Sequence, residues 1–416
     1  MAGYRRRNVS GDSLVFQSVD LYSRDELIYE SMKGENVVLT KSLIDVLAAV
    51  EKCPSLRKVE FYNFTFSFEY DYLIEELSSK LTNIESLLLY KCKFDVHNIF
   101  LTFVRKMFSM VELSIISAIG ITTHEYKCFF ETSDNLRKLI LDDVACHWIL
   151  ESIPPSLISL KYSYQADPFY SYDNVLEKLL ERSGRTLQTL CTENLQNKES
   201  FECIPQFQNL TDLRLTISVD CPANWWTYLC TGKLEILKLN ITSQLVTVKQ
   251  LVEIITDNRN LKVFDFNSNF DLLDDDFIHQ LSLNCKELKI LRINEAKLLT
   301  NDSLLDLRKL SNLKDLQLTN CEQIEDVPMA QFIQDSMSLR VLKYYNNLWP
   351  KFSIEAFETK AAQNVEFNFY GCFHYCNDKI ENNLKLISFS KLSKLEECKR
   401  LFCDMKTFVY DYANCD

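Results

Sequence analysis

Cysteine and histidine side chains are the residues of this sequence whose types could bind a metal or attack a substrate. Cys372, His374 and Cys376 form a Cys-x-His-x-Cys cluster. Thiolate and imidazole suit Zn²⁺, but a closed zinc site needs a fourth ligand and usually a different pair spacing. Cys146 and His147 are adjacent, which does not bring their side chains face to face. We therefore interpret both groups as structural.

An acidic run at Asp274–Asp276 could bind a divalent cation or form the first turn of a helix, and we favour the helix. The sequence contains no phosphate-binding loop, dinucleotide fingerprint, HExxH or GxSxG motif. It has five histidines among 416 residues. We therefore expect no catalytic, cofactor-binding or metal-binding residues, and a protein that is not an enzyme.

The pattern apolar-x-x-apolar-x-apolar recurs along nearly the whole chain. The start-to-start spacing averages about 26 residues, inside the range of leucine-rich repeats. The final copy is degenerate. The copies begin at Leu56, Ile84, Met110, Leu136, Leu157, Leu187, Leu210, Leu234, Leu261, Leu288, Leu313, Leu339 and Asn364.

Each copy predicts one short strand followed by a helix. The last two apolar positions are two residues apart, so both side chains point to the same side of a strand. Segments with helical apolar spacing follow, such as 41–53, 248–258 and 274–285. The fold class is therefore α/β, a solenoid (horseshoe) of about thirteen repeats with parallel strands on the concave face and helices on the convex face.

The polar positions of the repeat resemble those of the cysteine-containing subclass of leucine-rich repeats. Cys53 and Cys285 precede the leading leucine of a copy by three residues. A cysteine or asparagine that could bond the bend stands three residues after the strand in five copies: Cys92, Asn269, Cys321, Asn347 and Cys372. The resemblance covers roughly residues 36–390.

The domain prediction is one continuous repeat domain with caps, because no linker rich in Gly, Ser or Pro interrupts the chain. Residues 1–55 form an N-terminal cap with degenerate first repeats, including possible strands at 13–16 and 36–40. Residues 56–383 form the solenoid. Residues 384–416 form the C-terminal cap, since a terminal repeat needs cover for its open side.

The residue between the last two apolar positions of each copy should face outward and form a central row along the sheet. Its basic members are Lys161, Arg214, Lys238, Arg292 and Lys343. One interpretation is a basic stripe that binds an acidic partner protein on the concave face. The other is that Lys and Arg are merely tolerated on an exposed strand.

The first copies place apolar side chains at outward positions instead: Tyr62, Leu88, Tyr90, Ile116 and Ile140. Tyr345 and Tyr370 repeat the pattern near the other end. Exposed apolar patches often mark contact sites, and Tyr is a frequent anchor at interfaces. Alternatively, an N-terminal segment covers the patch, or the strand register is shifted by one residue.

Composition and net charge limit the possible partners and the cellular location of this protein. The net charge of −12 argues against nucleic acid or an anionic membrane as the main partner. No window is long and apolar enough to span a bilayer. The fifteen cysteines show no paired spacing, and no signal-peptide pattern is present. We therefore expect reduced thiols and a cytoplasmic location, with a nuclear one as the alternative.

The resemblance implies a function in protein recognition. Cysteine-containing leucine-rich repeats occur in F-box/leucine-rich-repeat receptors, which recruit substrates to cullin-type ubiquitin ligases through a Skp-type adaptor. Residues 1–55 contain no Leu-Pro pair and no recognisable F-box. The main expectation is an interaction scaffold, with the adaptor and a cullin as implied partners. The alternative is a regulator or inhibitor of an enzyme such as a GTPase or nuclease.

Overall fold

The computed structural model describes residues 13–17, 37–40, 42–95, 98–144, 147–164, 175–192, 195, 198–346, 356, 359, 368–373 and 387–388. The chain comprises two compact units, Met1–Leu210 and Thr211–Asp416. Each unit is built from short parallel strands joined by helical segments, so the predicted α/β leucine-rich repeat architecture is confirmed within each of them.

The first unit contains a parallel sheet whose strands follow the order β2-β1-β3-β5-β7-β8-β9-β10. Two further strands, β4 and β6, pair with each other at the bends that follow β3 and β5. The strands are β1 (Ser13–Gln17), β2 (Val37–Leu39), β3 (Lys58–Tyr62), β4 (Thr65–Phe66), β5 (Ser86–Tyr90), β6 (Lys93–Phe94), β7 (Glu112–Ile116), β8 (Lys138–Val144), β9 (Ser159–Tyr164) and β10 (Thr189–Thr192).

Helices connect these strands, and 3₁₀ segments extend or replace some of them. The 3₁₀ segments span Phe68–Tyr70, His147–Ser152 and Ile204–Gln206. The helices are α1 (Leu43–Val50), α2 (Asp71–Lys80), α3 (Ile99–Val104), α4 (Thr123–Glu131), α5 (Val175–Ser183) and α6 (Lys198–Cys203).

The second unit repeats the same arrangement. Its strands pair in chain order and in parallel from the first to the seventh, and the eighth pairs antiparallel. They are β11 (Asp212–Ile217), β12 (Ile236–Ile241), β13 (Val263–Ser268), β14 (Ile290–Ile293), β15 (Asp315–Thr319), β16 (Val341–Asn346), β17 (Asn368–Phe373) and β18 (Ile387–Ser388). The helices are α7 (Val248–Asp257), α8 (Asp275–Asn284), α9 (Asn301–Leu307) and α10 (Asp326–Asp335), with a 3₁₀ segment at Trp225–Leu229.

The core of each unit lies between the strands and the helices. The apolar positions of the repeat point inward, so Leu87, Leu89 and Leu316 are fully buried. Helical side chains meet them there: the Phe103 ring of α3 lies 5.5 Å from the Phe61 ring of β3. Burial of this apolar surface is the main stabilising contribution to the fold.

The sequence predicted that a Cys or Asn side chain stabilises the bend after the strand in five copies. The structure confirms this prediction in two of them. Cys92 and Cys321 are fully buried, and Cys92 Sγ donates to the Phe61 carbonyl at 3.4 Å. The prediction for Asn269 is wrong, because its side chain is exposed. The buried Ser268 serves this bend instead, since its Oγ accepts from the Phe270 N–H at 3.0 Å.

The prediction for Cys372 is also wrong. Cys372 lies within strand β17 and pairs with Tyr345, so it is not at the bend that follows the strand. Asn347 lies outside the described residues.

The two cysteines three residues before a leading leucine are buried in the turn before the strand. Cys53 and Cys285 are buried, and Cys285 Sγ lies 3.6 Å from the carbonyl oxygen of Ile255. Asn258 holds the equivalent place one repeat earlier, where its Nδ2 donates to the Leu229 and Ile254 carbonyls at 2.8 and 2.9 Å. These polar groups satisfy backbone groups that the tight turn would otherwise leave unpaired.

The acidic run forms the start of a helix, as favoured from the sequence. Asp274 is the N-cap residue of α8, and its Oδ1 accepts from the Phe277 N–H at 2.9 Å. Asp275 accepts from the backbone N–H and the hydroxyl of Thr300 at 2.9 and 2.6 Å, and from the Ser303 hydroxyl. Asp274 therefore caps its own helix, whereas Asp275 connects α8 to the following repeat.

Both possible strands of the N-terminal cap are present, although their order in the sheet differs from the chain order. Strand β1 pairs with both β2 and β3, so β2 forms the edge. At the other end, β18 lies inside the expected cap segment and pairs antiparallel to β17. The rest of the predicted cap from residue 389 onward lies outside the described residues.

Candidate protein-binding faces of the sheet

Strand register places the outward side chains of each unit in rows. The predicted central row runs through Glu60, Leu88, Ser114, Ile140, Lys161 and Cys191 in the first unit. In the second unit it runs through Arg214, Lys238, Asp265, Arg292, Gln317 and Lys343. We call the outward positions two residues before and two residues after it the leading row and the trailing row.

The last member of the central row differs from the predicted one. Lys343 pairs with Tyr370, whereas Asn368 pairs with Val341 in the leading row. The sequence around residue 368 alternates apolar and polar side chains over several positions. A shift of two residues leaves such an alternation unchanged, so the pattern could not fix the register there.

Five side chains of the first unit form what we call the apolar patch, and the structure brings all five together. Tyr62, Tyr90 and Ile116 follow one another in the trailing row. Leu88 and Ile140 lie in the central row on either side of Ser114. All five are partly exposed, and the rings of Tyr62 and Tyr90 are 5.5 Å apart.

Charged groups border the apolar patch on both sides. The Tyr62 hydroxyl donates to Glu60 Oε2 at 2.8 Å, and Lys58 Nζ lies 2.7 Å from Glu60 Oε1. On the opposite side, Lys161 Nζ donates to Asp142 Oδ2 at 2.8 Å. Lys161 therefore belongs to the rim of the apolar patch, and its charge is compensated by a neighbouring carboxylate.

Two cations of the second unit donate hydrogen bonds to aspartates. Arg214 donates two hydrogen bonds to Asp212, at 3.0 and 2.8 Å. Arg292 Nη2 donates to Asp315 Oδ2 at 2.9 Å. Both aspartates stand in the leading row, beside the cations of the central row.

The face of the second unit is therefore nearly neutral. Arg214, Lys238, Arg292 and Lys343 supply four positive charges, while Asp212, Asp265 and Asp315 supply three negative ones. The predicted basic stripe therefore carries little net positive charge, because Asp212 and Asp315 in the leading row and Asp265 in the central row offset its cations. That these side chains contact a partner stays a prediction.

Asp265 lies between two cations without a hydrogen bond to either. Its Oδ2 is 3.9 Å from Lys238 Nζ and 3.8 Å from Arg292 Nη1. Burial raises the pKa of the Asp265 carboxyl above its ordinary value, although both cations act in the opposite direction. Burial also lowers the pKa of the Lys343 ammonium group. The sheet face thus partly removes the Asp265 and Lys343 side chains from water.

The leading and trailing rows of the second unit contain apolar and amide side chains that were not predicted as part of a binding face. The leading row is apolar at Ile236, Val263 and Ile290, which are partly exposed. The trailing row is a ladder of amides, in which Asn267 Nδ2 donates to Asn240 Oδ1 at 3.0 Å. A binding segment would therefore meet an apolar, a charged and an amide row side by side.

Some of the residues considered for catalysis or metal binding lie outside the described residues. In the ranges that the structure describes, no group of three or more His, Cys, Asp or Glu side chains is arranged to hold a metal ion. His374, Cys376 and Cys146 lie outside those ranges, while His147 begins a 3₁₀ segment. Among the described helices, none is long and apolar enough to cross a membrane.

Burial makes the core thiols poor nucleophiles. It raises the pKa of Cys92, Cys285 and Cys321 to about 12. Since the thiolate is the reactive form, these cysteines are inert near neutral pH. Their hydrogen bonds to backbone carbonyls agree with a structural role.

Comparison with known proteins supports the architecture. No protein-family model matches this chain, and no curated protein is similar to it in sequence. It is similar to a chain in the crystal structure of the Rad7 and Elc1 complex in yeast, with a TM-score of 0.52 and 19% sequence identity. The match covers 70% of this chain and 76% of that chain. At this level of identity, the likeness shows the fold.

Proposed function

We propose that this protein is a non-enzymatic interaction scaffold, which binds a partner protein on the outward faces of its sheets. The observation that carries the proposal is the apolar patch formed by Tyr62, Leu88, Tyr90, Ile116 and Ile140. Contiguous apolar surface with a polar border is typical of protein contact sites. Its two neighbouring tyrosines, Tyr62 and Tyr90, supply the anchors that such sites favour.

Four side chains of chemically capable types have structural roles in the described part of the chain, which supports binding over catalysis. Asp274 and Asp275 accept hydrogen bonds at the starts of helices. Cys92 and Cys285 contact backbone carbonyl oxygens in the core. Binding by surface complementarity does not require a reactive side chain to reach a substrate, as catalysis does.

The finer form of the proposal is a substrate-recruiting subunit of a cullin-type ubiquitin ligase, held through an adaptor of the Skp type. Two observations support it. The repeats resemble those of F-box receptors in their buried cysteines at the bends, as at Cys92 and Cys321. In addition, the similar solved structure is a complex of two proteins, Rad7 and Elc1.

The test compares proteins captured by the full chain and by a variant of the apolar patch. In the Leu88→Asp/Ile140→Asp variant, two carboxylates replace apolar contacts, and we expect affinity for the main partner to fall at least about tenfold. Cross-linking and mass spectrometry identify the partner, and titration with the purified partner measures the affinity. Recovery of an adaptor and a cullin supports the ligase role, whereas a single GTPase or nuclease supports regulation of an enzyme.

A matched control carries the same chemical change on the helices. Leu305→Asp in α9 and Val327→Asp in α10 alter side chains that are already exposed. This control should bind the partner as the parent does. Equal binding by the parent, the patch variant and the control would rule out the apolar patch as the contact site. A hydrolase or transferase activity that copurifies with the parent chain would refute the non-enzymatic role.

A further inference from the structure

A short segment of the first unit exposes three aromatic rings outside the sheet faces. Phe68 and Tyr70 lie in the 3₁₀ segment after β4, and Tyr72 lies in the first turn of α2. Their exposed fractions are 62%, 45% and 68%. By contrast, Phe64 and Phe66 just upstream are buried in the core.

These three rings have no aromatic or cationic neighbour within the described part of the chain. Phe66, for example, stacks on Phe94 with ring centroids 4.8 Å apart, whereas Phe68, Tyr70 and Tyr72 make no such contact. Exposing three large rings within five residues leaves apolar surface in water. Core packing therefore does not explain their presence.

Four carboxylates are interleaved with the rings: Glu69, Asp71, Glu75 and Glu76. No Lys or Arg occurs among residues 68–76. On the surface of α2, Tyr72 is followed at i+3 and i+4 by Glu75 and Glu76, so the ring and both carboxylates share one face. We call residues 68–76 the acidic aromatic segment.

The carboxylates of this segment differ from their neighbours in having no ion pair within the described residues. Close by, Glu51 pairs with Lys80 at 3.0 Å and Asp95 pairs with Lys93 at 2.8 Å. The Oδ1 atom of Asp71 is buried without a hydrogen-bond partner. The positive end of the α2 dipole accounts for an acid at Asp71, but not for the other three acids or the rings.

We propose that the acidic aromatic segment binds an arginine-rich segment of a partner protein. A guanidinium group can stack on an exposed ring while it donates hydrogen bonds to an adjacent carboxylate. Phe68, Tyr70 and Tyr72 supply the ring faces, and the four acids supply the complementary charge. A second copy of this chain fits poorly, because each copy carries a net charge of −12.

The test titrates the full chain with three synthetic peptides of about twelve residues, in which Arg, Lys or Glu alternates with Gly. Fluorescence anisotropy near physiological salt measures the affinities, because weak surface attraction is screened there. We expect the Arg peptide to bind several-fold more tightly than the Lys peptide, since only guanidinium both stacks and forms paired hydrogen bonds. The Glu peptide should not bind.

Two variants separate the contributions of rings and charges. Phe68→Ser/Tyr70→Ser/Tyr72→Ser removes the rings, while Glu69→Gln/Glu75→Gln/Glu76→Gln removes charge and keeps the shape. Each should weaken binding of the Arg peptide about tenfold or more. Because these side chains are exposed, circular dichroism should show an unchanged fold. If the ring variant fails to fold, the isosteric Gln variant still tests whether the carboxylates of the segment bind the Arg peptide.

The control variant, Glu131→Gln/Glu199→Gln/Glu287→Gln, removes three exposed glutamates elsewhere. It should bind the Arg peptide as the parent does. An equal loss in the control would show that binding follows total charge, and that would overturn the proposal. Equal affinity for the Arg and Lys peptides, or full binding by the Gln variant of the segment, would overturn it as well.

Discussion

At the scale of single residues, Asp265 shows how burial and charge compete on the sheet face. The raised pKa means that ionising this carboxyl costs more in the folded chain than in the unfolded chain, despite Lys238 and Arg292 nearby. We therefore predict that Asp265→Asn leaves stability within about 1 kcal/mol of the parent at pH 7, on the stabilising side. Urea unfolding of both proteins measures the difference.

The same residue gives a pH dependence with a defined sign. A folded-state pKa above the ordinary value of 3.8 means that the folded chain binds the proton more tightly than the unfolded chain. The parent should therefore gain stability relative to Asp265→Asn as pH falls through the folded pKa towards 3.8. A parent that loses stability relative to the variant on acidification would show that the two cations outweigh burial.

The residue scale also shows which parts of the site could be predicted. Alternation along a strand predicted that Leu88, Ile140 and Arg214 point outward, because the period of two depends on local geometry alone. The pairing of Arg214 with Asp212 was missed, although it is readable once i and i+2 on one strand are recognised as neighbours on the same face. The pairing of Arg292 with Asp315 depends on the register between two strands.

At the scale of elements, the turn before strand β13 depends on a buried polar group. Asn258 in the repeat of α7 makes four hydrogen bonds within 3.4 Å, to Leu229, Ile254, Thr231 and Leu234. We predict that Asn258→Leu destabilises the chain by about 2–4 kcal/mol, because it leaves buried backbone groups unpaired. Thermal or urea unfolding measures the loss.

The neighbouring repeat suggests a milder replacement at this position. Cys285 occupies the equivalent turn and contacts carbonyl oxygens, so Asn258→Cys should cost less than Asn258→Leu. The control, Asn269→Leu, makes the same change at an exposed asparagine and should stay within about 0.5 kcal/mol of the parent. If Asn258→Leu is as stable as this control, the turn does not depend on the amide.

Helix positions were predictable, whereas the left-handed backbone conformation of the bends after the strands was not. Apolar spacing placed α1, α7 and α8 correctly, because each helix buries a stripe of period 3.6. The residues directly after β3 and β5, Asn63 and Lys91, have φ values of 55° and 50°. Residues with such positive φ values are usually Gly. This chain has seven glycines and none of them lies at these two bends, so the sequence did not indicate the left-handed conformation.

At the scale of the whole molecule, the repeat was visible because each copy needs only three apolar inward positions. Those positions recur at a spacing of about 26 residues, so the fold class followed from the sequence. The division between residues 210 and 211 did not follow, since no change of composition marks it. The sequence also did not predict that β1 pairs with both β2 and β3. Several strands have similar patterns, and which of them pair depends on contacts between residues that are distant in the sequence.

A repeat architecture predicts that one core defect spreads to its neighbours, since each repeat is stabilised by the repeats beside it. Leu316 in β15 is fully buried, so Leu316→Asp should destabilise the second unit by more than about 4 kcal/mol. Hydrogen exchange should show lost protection in β14 and β16 as well. The control, Gln317→Asp, alters the adjacent outward residue and should melt like the parent. A Leu316→Asp variant that melts like the parent, beside a destabilised Gln317→Asp variant, would mean that inward and outward positions of the strand are exchanged. That would contradict the alternation on which both binding faces depend.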